Sequence, residues 1–184
     1  FRSPHHTTSR IGLIGGGTNP MPGEISLSHR GVLFLDEFPE FPRNVLESLR
    51  QPMEDSVVSI SRAKGSVTYP ANFLLVAASN PCPCGYFGDT KRACTCLPGT
   101  ISRYQHRISG PILDRIDIHV DVPSVETQKL IAKSEKGKAE SSKLIQKRVQ
   151  KARDMQLARF KGTKLKSNSE MSTRNVKEFC DLSE

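Results

Sequence analysis

The chain has 184 residues, of which 36% are hydrophobic and 25% are charged, and its formal net charge at pH 7 is +8. No apolar run approaches the roughly 18 residues that a membrane-spanning helix needs and no signal peptide is present, so we expect a soluble globular protein without a membrane partner. Because the first residue is Phe1 and not Met, we expect a piece of a longer protein. The basic excess lies mostly in residues 126–184, which favours either contact with phosphate backbones or a solvated helical surface.

Residues 1–31 are rich in turn-forming residues. The triple glycine Gly15–Gly17 lacks the Gly-Lys-Ser/Thr ending of a phosphate-binding loop, so a turn-rich segment is the favoured interpretation. His5 and His6 are adjacent, and neighbouring side chains of a strand point to opposite faces. We therefore do not expect the two histidines to act together as metal ligands.

Two buried strands are predicted in the first half of the chain. Continuous apolar character predicts the first strand over residues 32–36 and the second over residues 73–78, which ends before Asn80. Between them, helical spacing predicts a helix that starts at Pro42 and ends at Pro52.

A β-hairpin is predicted over residues 57–70, because apolar and polar residues alternate there on both sides of a glycine. Gly65 is placed in its turn, and Arg62 and Lys64 are placed at its tip.

The second half of the chain predicts a loop-and-helix region followed by helices. In chain order we expect a cysteine loop over 81–100, two short helices separated by a turn at Gly110-Pro111, a strand over Ile116–Val122, a linker over 126–138 and a long helix over 139–160. Ile145, Val149 and Ala152 fall on one face of the long helix. Ser172 or Thr173 is the expected N-cap of a further helix. The fold class is therefore α/β, followed by a helical region.

Asp36 and Glu37 directly follow the apolar run of the first strand. Ligands of open α/β sheets bind at the carboxyl ends of the strands, where Asp36 can hold a water bound to Mg²⁺ and the ion bridges the phosphates of ATP. Glu37 can orient or deprotonate the attacking water. The alternative is a strand end followed by a helix cap, and these residues alone do not decide between the two.

Asn80 and Arg115 are the other candidates for nucleotide chemistry. Asn80 ends the second strand, where an amide can orient the attacking water, although Asn-Pro also commonly opens a turn. Arg115 can stabilise transition-state charge on a phosphoryl group, or it can form an ion pair with Asp114 or Asp117. Arg103 and Arg107 are the reserve candidates for that arginine.

Cys82, Cys84, Cys94 and Cys96 form a C-x-C-x₉-C-x-C pattern, and Cys180 stands apart. Four thiolates can close a tetrahedral structural Zn²⁺ site, although the Cys-x-Cys step is shorter than the usual zinc-binding spacing. Free thiols or disulfides are the alternative.

Several segments resemble the magnesium-chelatase-like AAA+ ATPases of the ComM/YifB group. They are FRSPHHT, PGEISLSHRGVLFLDEFPEF, LRQPMED, ISRAKGSVTYPANFLLVAASNPCPCG and ISGPILDRIDIHVDVP. The resemblance implies an AAA+ core over 1–125 with a parallel sheet flanked by helices, a linker over 126–138, and the start of a helical lid over 139–184. It matches Asp36 and Glu37 to the Walker B acids, Asn80 to sensor 1 and Arg115 to the arginine finger, which acts on ATP bound by a neighbouring subunit.

The same resemblance implies a bacterial cytoplasmic, homo-oligomeric ring, expected to be a hexamer, that uses ATP and Mg²⁺ and acts on DNA. Members of this group drive branch migration of DNA during recombination and uptake of foreign DNA. Residues 5–30 match an insert in the second helix of the AAA+ core, where histidines can contact DNA. Arg62 and Lys64 of the hairpin can contact DNA phosphates in the pore of the ring.

No Gly-x-x-x-x-Gly-Lys-Ser/Thr motif occurs in these residues. In the family this loop lies upstream of residue 1, so we expect the chain by itself to bind ATP weakly and to hydrolyse it negligibly. Two alternatives remain open: a chelatase motor subunit that remodels a protein partner, and a non-catalytic binding or assembly module.

Overall fold

A computed structural model describes residues 1–62, 65–122 and 140–180 of the chain. The chain divides into two compact units, Phe1–Ser124 and Val125–Glu184. None of the helices in the described ranges has the length and apolar character needed to cross a membrane. The helices and strands of the first unit are α1 (Arg10–Ile14), β1 (Gly15–Gly16), β2 (Met21–Pro22), α2 (Glu24–Leu27), β3 (Val32–Leu35), α3 (Arg43–Glu47), α4 (Arg50–Asp55), β4 (Val57–Arg62), β5 (Gly65–Pro70), β6 (Leu74–Ala77), α5 (Pro98–Gln105) and α6 (Gly110–Leu113).

Strands β3 and β6 pair in parallel, with Leu35 opposite Ala77, so the α/β class and both predicted strands are confirmed. The burial predicted for the second strand is wrong, because Leu74, Val76 and Ala77 are exposed in the structure. The amino-terminal segment lies along β3, because the Arg2 amide donates to the Val32 carbonyl (2.9 Å) and the Phe34 amide donates to the Arg2 carbonyl (2.8 Å). Strand β3 therefore has backbone partners on both of its edges.

The core of the first unit forms around β3. Leu33 and Leu35 are fully buried, whereas Val32 and Phe34 are half-buried, so one face of the strand points into the core. Burying one leucine contributes about 2 kcal/mol. The other buried hydrophobic residues of this cluster are Leu13, Ile25, Phe38, Phe41, Val45, Leu46, Leu49, Val58, Ile60, Ala71 and Ile112.

The turn-rich amino-terminal segment folds as α1, the small antiparallel pair β1–β2, and α2. The Ser9 hydroxyl caps α1 by accepting a hydrogen bond from the Gly12 amide (3.1 Å). Gly15 has φ 105°, and a Cβ atom there would lie 2.3 Å from the Met21 carbonyl oxygen. The first glycine of the triple glycine therefore permits a close backbone contact within this segment.

Strands β4 and β5 form the predicted antiparallel hairpin. The place predicted for Gly65 is wrong, because Gly65 opens β5 and pairs with Arg62. Lys64 and its neighbour Ala63 lie outside the described residues.

The predicted helix from Pro42 to Pro52 is two helices, α3 and α4. The prediction that Pro52 ends a helix is wrong, because α4 has Leu49 as its N-cap and Pro52 lies in its first turn. A proline in that turn breaks no hydrogen bond, since the first amides of a helix have no partner within the helix.

Two predictions after the cysteine loop are also wrong. Gly110 and Pro111 begin α6 and do not form a turn before it, because proline suits the first turn of a helix. Residues 116–122 form no strand. Their apolar residues do alternate, with Ile118, Val120 and Val122 all highly exposed, but no described strand pairs with this segment to complete a backbone ladder.

The second unit contains α7 (Ser142–Arg159), a 3₁₀ turn (Asn168–Glu170) and α8 (Thr173–Phe179). The Ser172 N-cap is confirmed: its hydroxyl accepts from the Asn175 amide and the Asn175 side chain accepts from the Ser172 amide, which forms a capping box. Phe160 is buried and packs edge-to-face on Phe179, with ring centroids 5.2 Å apart. The predicted apolar face of the long helix is exposed in this unit.

Candidate active site

Asp36 and Glu37 lie at the carboxyl edge of the parallel sheet. The Ala78 amide donates to the Leu35 carbonyl (3.0 Å), and the Phe38 amide donates back to the Ala78 carbonyl (2.9 Å). These two bonds hold the chain after β3 against the chain after β6. The acids and Asn80, which are all exposed, are therefore carried by adjacent strand ends of one sheet edge.

The backbone at Glu37 is left-handed, with φ 51° and ψ 43°. This conformation is unfavourable for a residue with a side chain, and such residues often occur at functional sites. The Asp36 carboxylate accepts a hydrogen bond from the Glu37 amide (2.8 Å). The turn therefore presents both carboxylates at the edge of the sheet, in a geometry that the local hydrogen bond supports.

His6 is the side chain that faces Glu37. Its Nδ1 lies 2.8 Å from Oε2 of Glu37, and its ring lies 4.0 Å from the ring of His5. The expectation that the two histidines point apart is wrong, because residues 6 and 7 form a turn and the alternation of a strand does not apply. Nitrogen atoms of His5 and His6 and a carboxylate oxygen of Glu37 lie within 4.8 Å of one another, which is close enough to share a metal ion.

Arg115 contacts Glu54 of α4 and the Pro111 carbonyl, and its side chain is mostly buried. Arg115 therefore forms an ion pair within the chain, but its partner is the distant Glu54 and not Asp114 or Asp117. Of the reserve arginines, Arg107 pairs with Glu40 in the turn after Glu37, with 2.7 Å between Nη1 and Oε2.

Arg62, the described basic residue near the hairpin tip, is exposed, and its guanidinium donates to the Ser61 carbonyl (3.1 Å). Pairs of hydroxyl side chains, Ser59 with Thr68 and Ser61 with Ser66, cover one face of the hairpin. This face of the hairpin is therefore hydrophilic.

Cys82, Cys84, Cys94 and Cys96 converge, with all four Sγ atoms within 4.8 Å of one another and no disulfide between them. The Sγ–Sγ distances are 3.3 Å from Cys82 to Cys84, 3.7 Å from Cys82 to Cys94 and 3.5 Å from Cys84 to Cys94. Backbone amides of Tyr86 and Thr95 lower the pKa of the Cys84 thiol to about 5, whereas burial and contacts with the other sulfurs raise the pKa of the Cys94 and Cys96 thiols. Negative charge in the cluster is therefore favoured at Cys84, and the thiolate is the form of cysteine that binds metal.

Two family profiles match the chain. Residues 1–130 match the family described as "Magnesium chelatase, subunit ChlI", and residues 139–184 match "Magnesium chelatase, subunit ChlI C-terminal". The chain belongs to the magnesium chelatase family. Three relatives place it within this family. It is 43% identical over 184 residues to competence protein ComM of Haemophilus influenzae, which covers 100% of the chain and 35% of ComM.

The chain is also 43% identical over 182 residues to uncharacterized protein YifB of Salmonella typhimurium, covering 99% of the chain and 34% of YifB. It is 39% identical over 173 residues to uncharacterized protein Rv2897c of Mycobacterium tuberculosis, covering 94% of the chain and 33% of the relative. This member of the family is therefore a magnesium-chelatase-like protein of the ComM/YifB type. The chain spans about a third of the length of these curated relatives.

In this magnesium-chelatase-like chain, sequence reasoning found the acids and the cysteine cluster but missed two partners. The sequence analysis misses His6 because it assumes a strand around this residue, although His6 lies in FRSPHHT, one of the segments that resemble the family. Glu54 carried no signal in the sequence, since its contact with Arg115 spans 61 positions.

Proposed function

We propose that this chain is the hydrolytic part of an ATP-driven AAA+ ring motor that acts on DNA in recombination or in the uptake of foreign DNA. The observation that carries the proposal is the shared sheet edge, where Asp36 and Glu37 follow one strand and Asn80 follows its parallel neighbour. This edge belongs to a chain that is 43% identical to a competence protein over all 184 of the chain's residues.

Each of the three polar residues at this edge has a different role in ATP hydrolysis. Asp36 presents an exposed carboxylate, the ligand type that Mg²⁺ prefers, and would hold the ion through water. Glu37 accepts or orients the proton of the attacking water, and Asn80 orients that water without adding charge. When bound, the ion neutralises charge on the phosphates of ATP.

Arg115 supplies the positive charge to a phosphoryl group bound by a neighbouring subunit in a ring, for which a hexamer is the expected form. Because Arg115 contacts Glu54 within its own unit, this role requires the arginine to exchange one carboxylate for a phosphate. The proposal requires a phosphate-binding loop, whose motif does not occur in these 184 residues, in keeping with the expectation that the chain by itself hydrolyses ATP negligibly.

Contact with DNA is proposed for two basic surfaces. Arg62 is exposed near the hairpin tip, and Lys64 follows it in the sequence. Helix α7 exposes a run of basic residues, among them Lys143, Lys147 and Lys151. Binding through such side chains falls steeply as salt concentration rises, because it releases counterions from the phosphate backbone.

The test measures ATP turnover by the whole protein with and without branched DNA, in wild type and in the Glu37→Gln variant. Loss of a general base lowers turnover by about 10²- to 10⁴-fold. The matched control is Glu170→Gln, the same substitution in the 3₁₀ turn of the second unit.

We expect DNA to stimulate turnover in wild type and in Glu170→Gln but not in Glu37→Gln. Turnover that depends on Glu37 but ignores DNA would indicate a motor that remodels a protein partner, as a chelatase subunit does. If the wild type shows no turnover, Asp36 and Glu37 are only a strand end, and the chain acts as a binding or assembly module.

A further inference from the structure

Residues 81–97, between the end of β6 and the start of α5, form no helix or strand, and Cys82 is the only buried residue among them. Fixing the backbone of such a loop costs about 1–2 kcal/mol per residue in conformational entropy, which this little apolar burial does not offset. Its order must therefore come from another source, and the cysteines are the side chains that converge within it.

The spacing of the sulfur atoms fits a metal ion better than it fits disulfides. A tetrahedral Zn²⁺ ion with bonds of about 2.3 Å places its sulfur ligands about 3.8 Å apart. The Sγ–Sγ distances of 3.3, 3.5 and 3.7 Å in the structure lie near this value. They are far longer than the S–S bond of a disulfide, which is about 2.05 Å.

Backbone amides around the cluster supply the outer shell that a thiolate site needs. The Phe87 amide donates to Cys82 Sγ at 3.3 Å, and the amides of Tyr86 and Thr95 donate to Cys84. Such N–H···S contacts offset the negative charge of metal-bound thiolates and orient them toward the ion.

We propose that Cys82, Cys84, Cys94 and Cys96 bind one structural Zn²⁺ ion. Four sulfur ligands close the coordination shell, which is typical of structural sites and leaves no open position for catalysis. The Gln105 side chain of α5 donates to the Pro81 carbonyl (3.2 Å), so the beginning of the same loop is tied to a helix. The ion thus orders the residues that directly follow Asn80.

The test is to purify the whole protein without chelators and to measure its metal content by inductively coupled plasma mass spectrometry. We expect about one zinc per chain in wild type. The variants Cys84→Ser and Cys94→Ser should lose most of it, and Cys180→Ser should keep it, because Cys180 is a free cysteine outside the cluster. This readout does not depend on ATP turnover.

A second measurement covers the case in which the serine variants fail to fold. Co²⁺ exchanged into the wild-type protein should give the absorption bands of tetrahedral thiolate coordination. Absence of zinc from the wild type, iron in its place, or zinc retained by both serine variants would overturn the proposal.

A separate observation concerns His6, which is held on three sides. Its ring lies against His5, its edge faces the ring of Phe41 with centroids 6.4 Å apart, and its Nδ1 contacts the Glu37 carboxylate. The imidazole is therefore fixed in place by packing, while the Glu37 side chain is half exposed.

From this contact we infer that His6 is a positioning residue that holds the Glu37 carboxylate away from the attacking water until DNA binds. The inference rests on the proposed function, since it assigns Glu37 to hydrolysis. A carboxylate engaged by an imidazole is less available as a proton acceptor for water, so release of this contact should raise turnover.

The test compares turnover without DNA and with saturating DNA in His6→Ala, with His119→Ala, an exposed histidine outside the site, as the matched control. We expect His6→Ala to raise the rate without DNA by up to about fivefold, the range of a partly exposed ion pair, and to leave the DNA-saturated rate unchanged. His119→Ala should leave both rates near those of wild type. An unchanged or lower basal rate in His6→Ala overturns the inference while Glu37-dependent turnover in wild type still supports the proposed function. Absence of that turnover overturns both.

Discussion

Replacement of Leu35 by alanine tests whether the strand before the acids depends on the core. The Leu35 side chain is fully buried in the main cluster, and removal of a buried leucine costs about 2–5 kcal/mol, because both transfer energy and packing are lost. Folded domains are stable by only about 5–15 kcal/mol, so a loss near 3 kcal/mol is a large share. At an m-value of about 2 kcal/mol/M, it should lower the urea midpoint by about 1.5 M.

The matched control is Leu74→Ala, on the partner strand of the same sheet, whose side chain is 61% exposed. Its free energy of unfolding should change by less than about 0.5 kcal/mol. Both variants are compared with wild type by urea unfolding of the 184-residue chain, followed by circular dichroism. Equal midpoint shifts in the two variants would refute the assignment of Leu35 to the core and of the β3 face to the interior.

Three further substitutions test local contacts, the first two in the same assay. Gly15→Ala should destabilise the first unit by more than 1 kcal/mol, because φ is 105° and the new Cβ would lie 2.3 Å from the Met21 carbonyl; Gly99→Ala, where the new methyl meets nothing within 4 Å, is its control. Tyr69→Phe should cost about 1 kcal/mol, since it removes the hydrogen bond from the phenol to the Pro20 carbonyl (2.8 Å) that ties the hairpin to the amino-terminal segment. Ser172→Ala should lower the stability of the second unit by about 1 kcal/mol, because it removes the N-cap of α8. Amide hydrogen exchange in α8 should become faster, and unchanged exchange there would refute the capping role.

Much of the architecture around the acids could be predicted from local patterns. The apolar runs before Asp36 and Asn80 predicted two strands, and the alternation around Gly65 predicted the hairpin, because these signals depend on residues close together in the sequence. The cap at Ser172 was predictable for the same reason. Each of these features is a property of a few consecutive residues.

Three of the errors share one physical cause, which is that partners distant in the sequence decide the outcome. Residues 116–122 have the alternation of a strand, but a strand forms only where another backbone pairs with it. The contact of Glu37 with His6 and the contact of Arg115 with Glu54 each join separate parts of the chain, and no local sequence pattern predicts them. The error at Pro52 has a local cause, because a proline is compatible with both the first turn of a helix and the residue that ends one.

The hairpin of β4 and β5 has two faces of different character. Val58 and Ile60 on β4 anchor one face in the core, while the hydroxyl pairs Ser59–Thr68 and Ser61–Ser66 cover the other. Substitutions on the hydroxyl face therefore carry little penalty for folding, whereas substitutions of Val58 or Ile60 do. Such a separation lets a lineage of proteins alter what the exposed face contacts, one substitution at a time, while the domain that carries it stays intact.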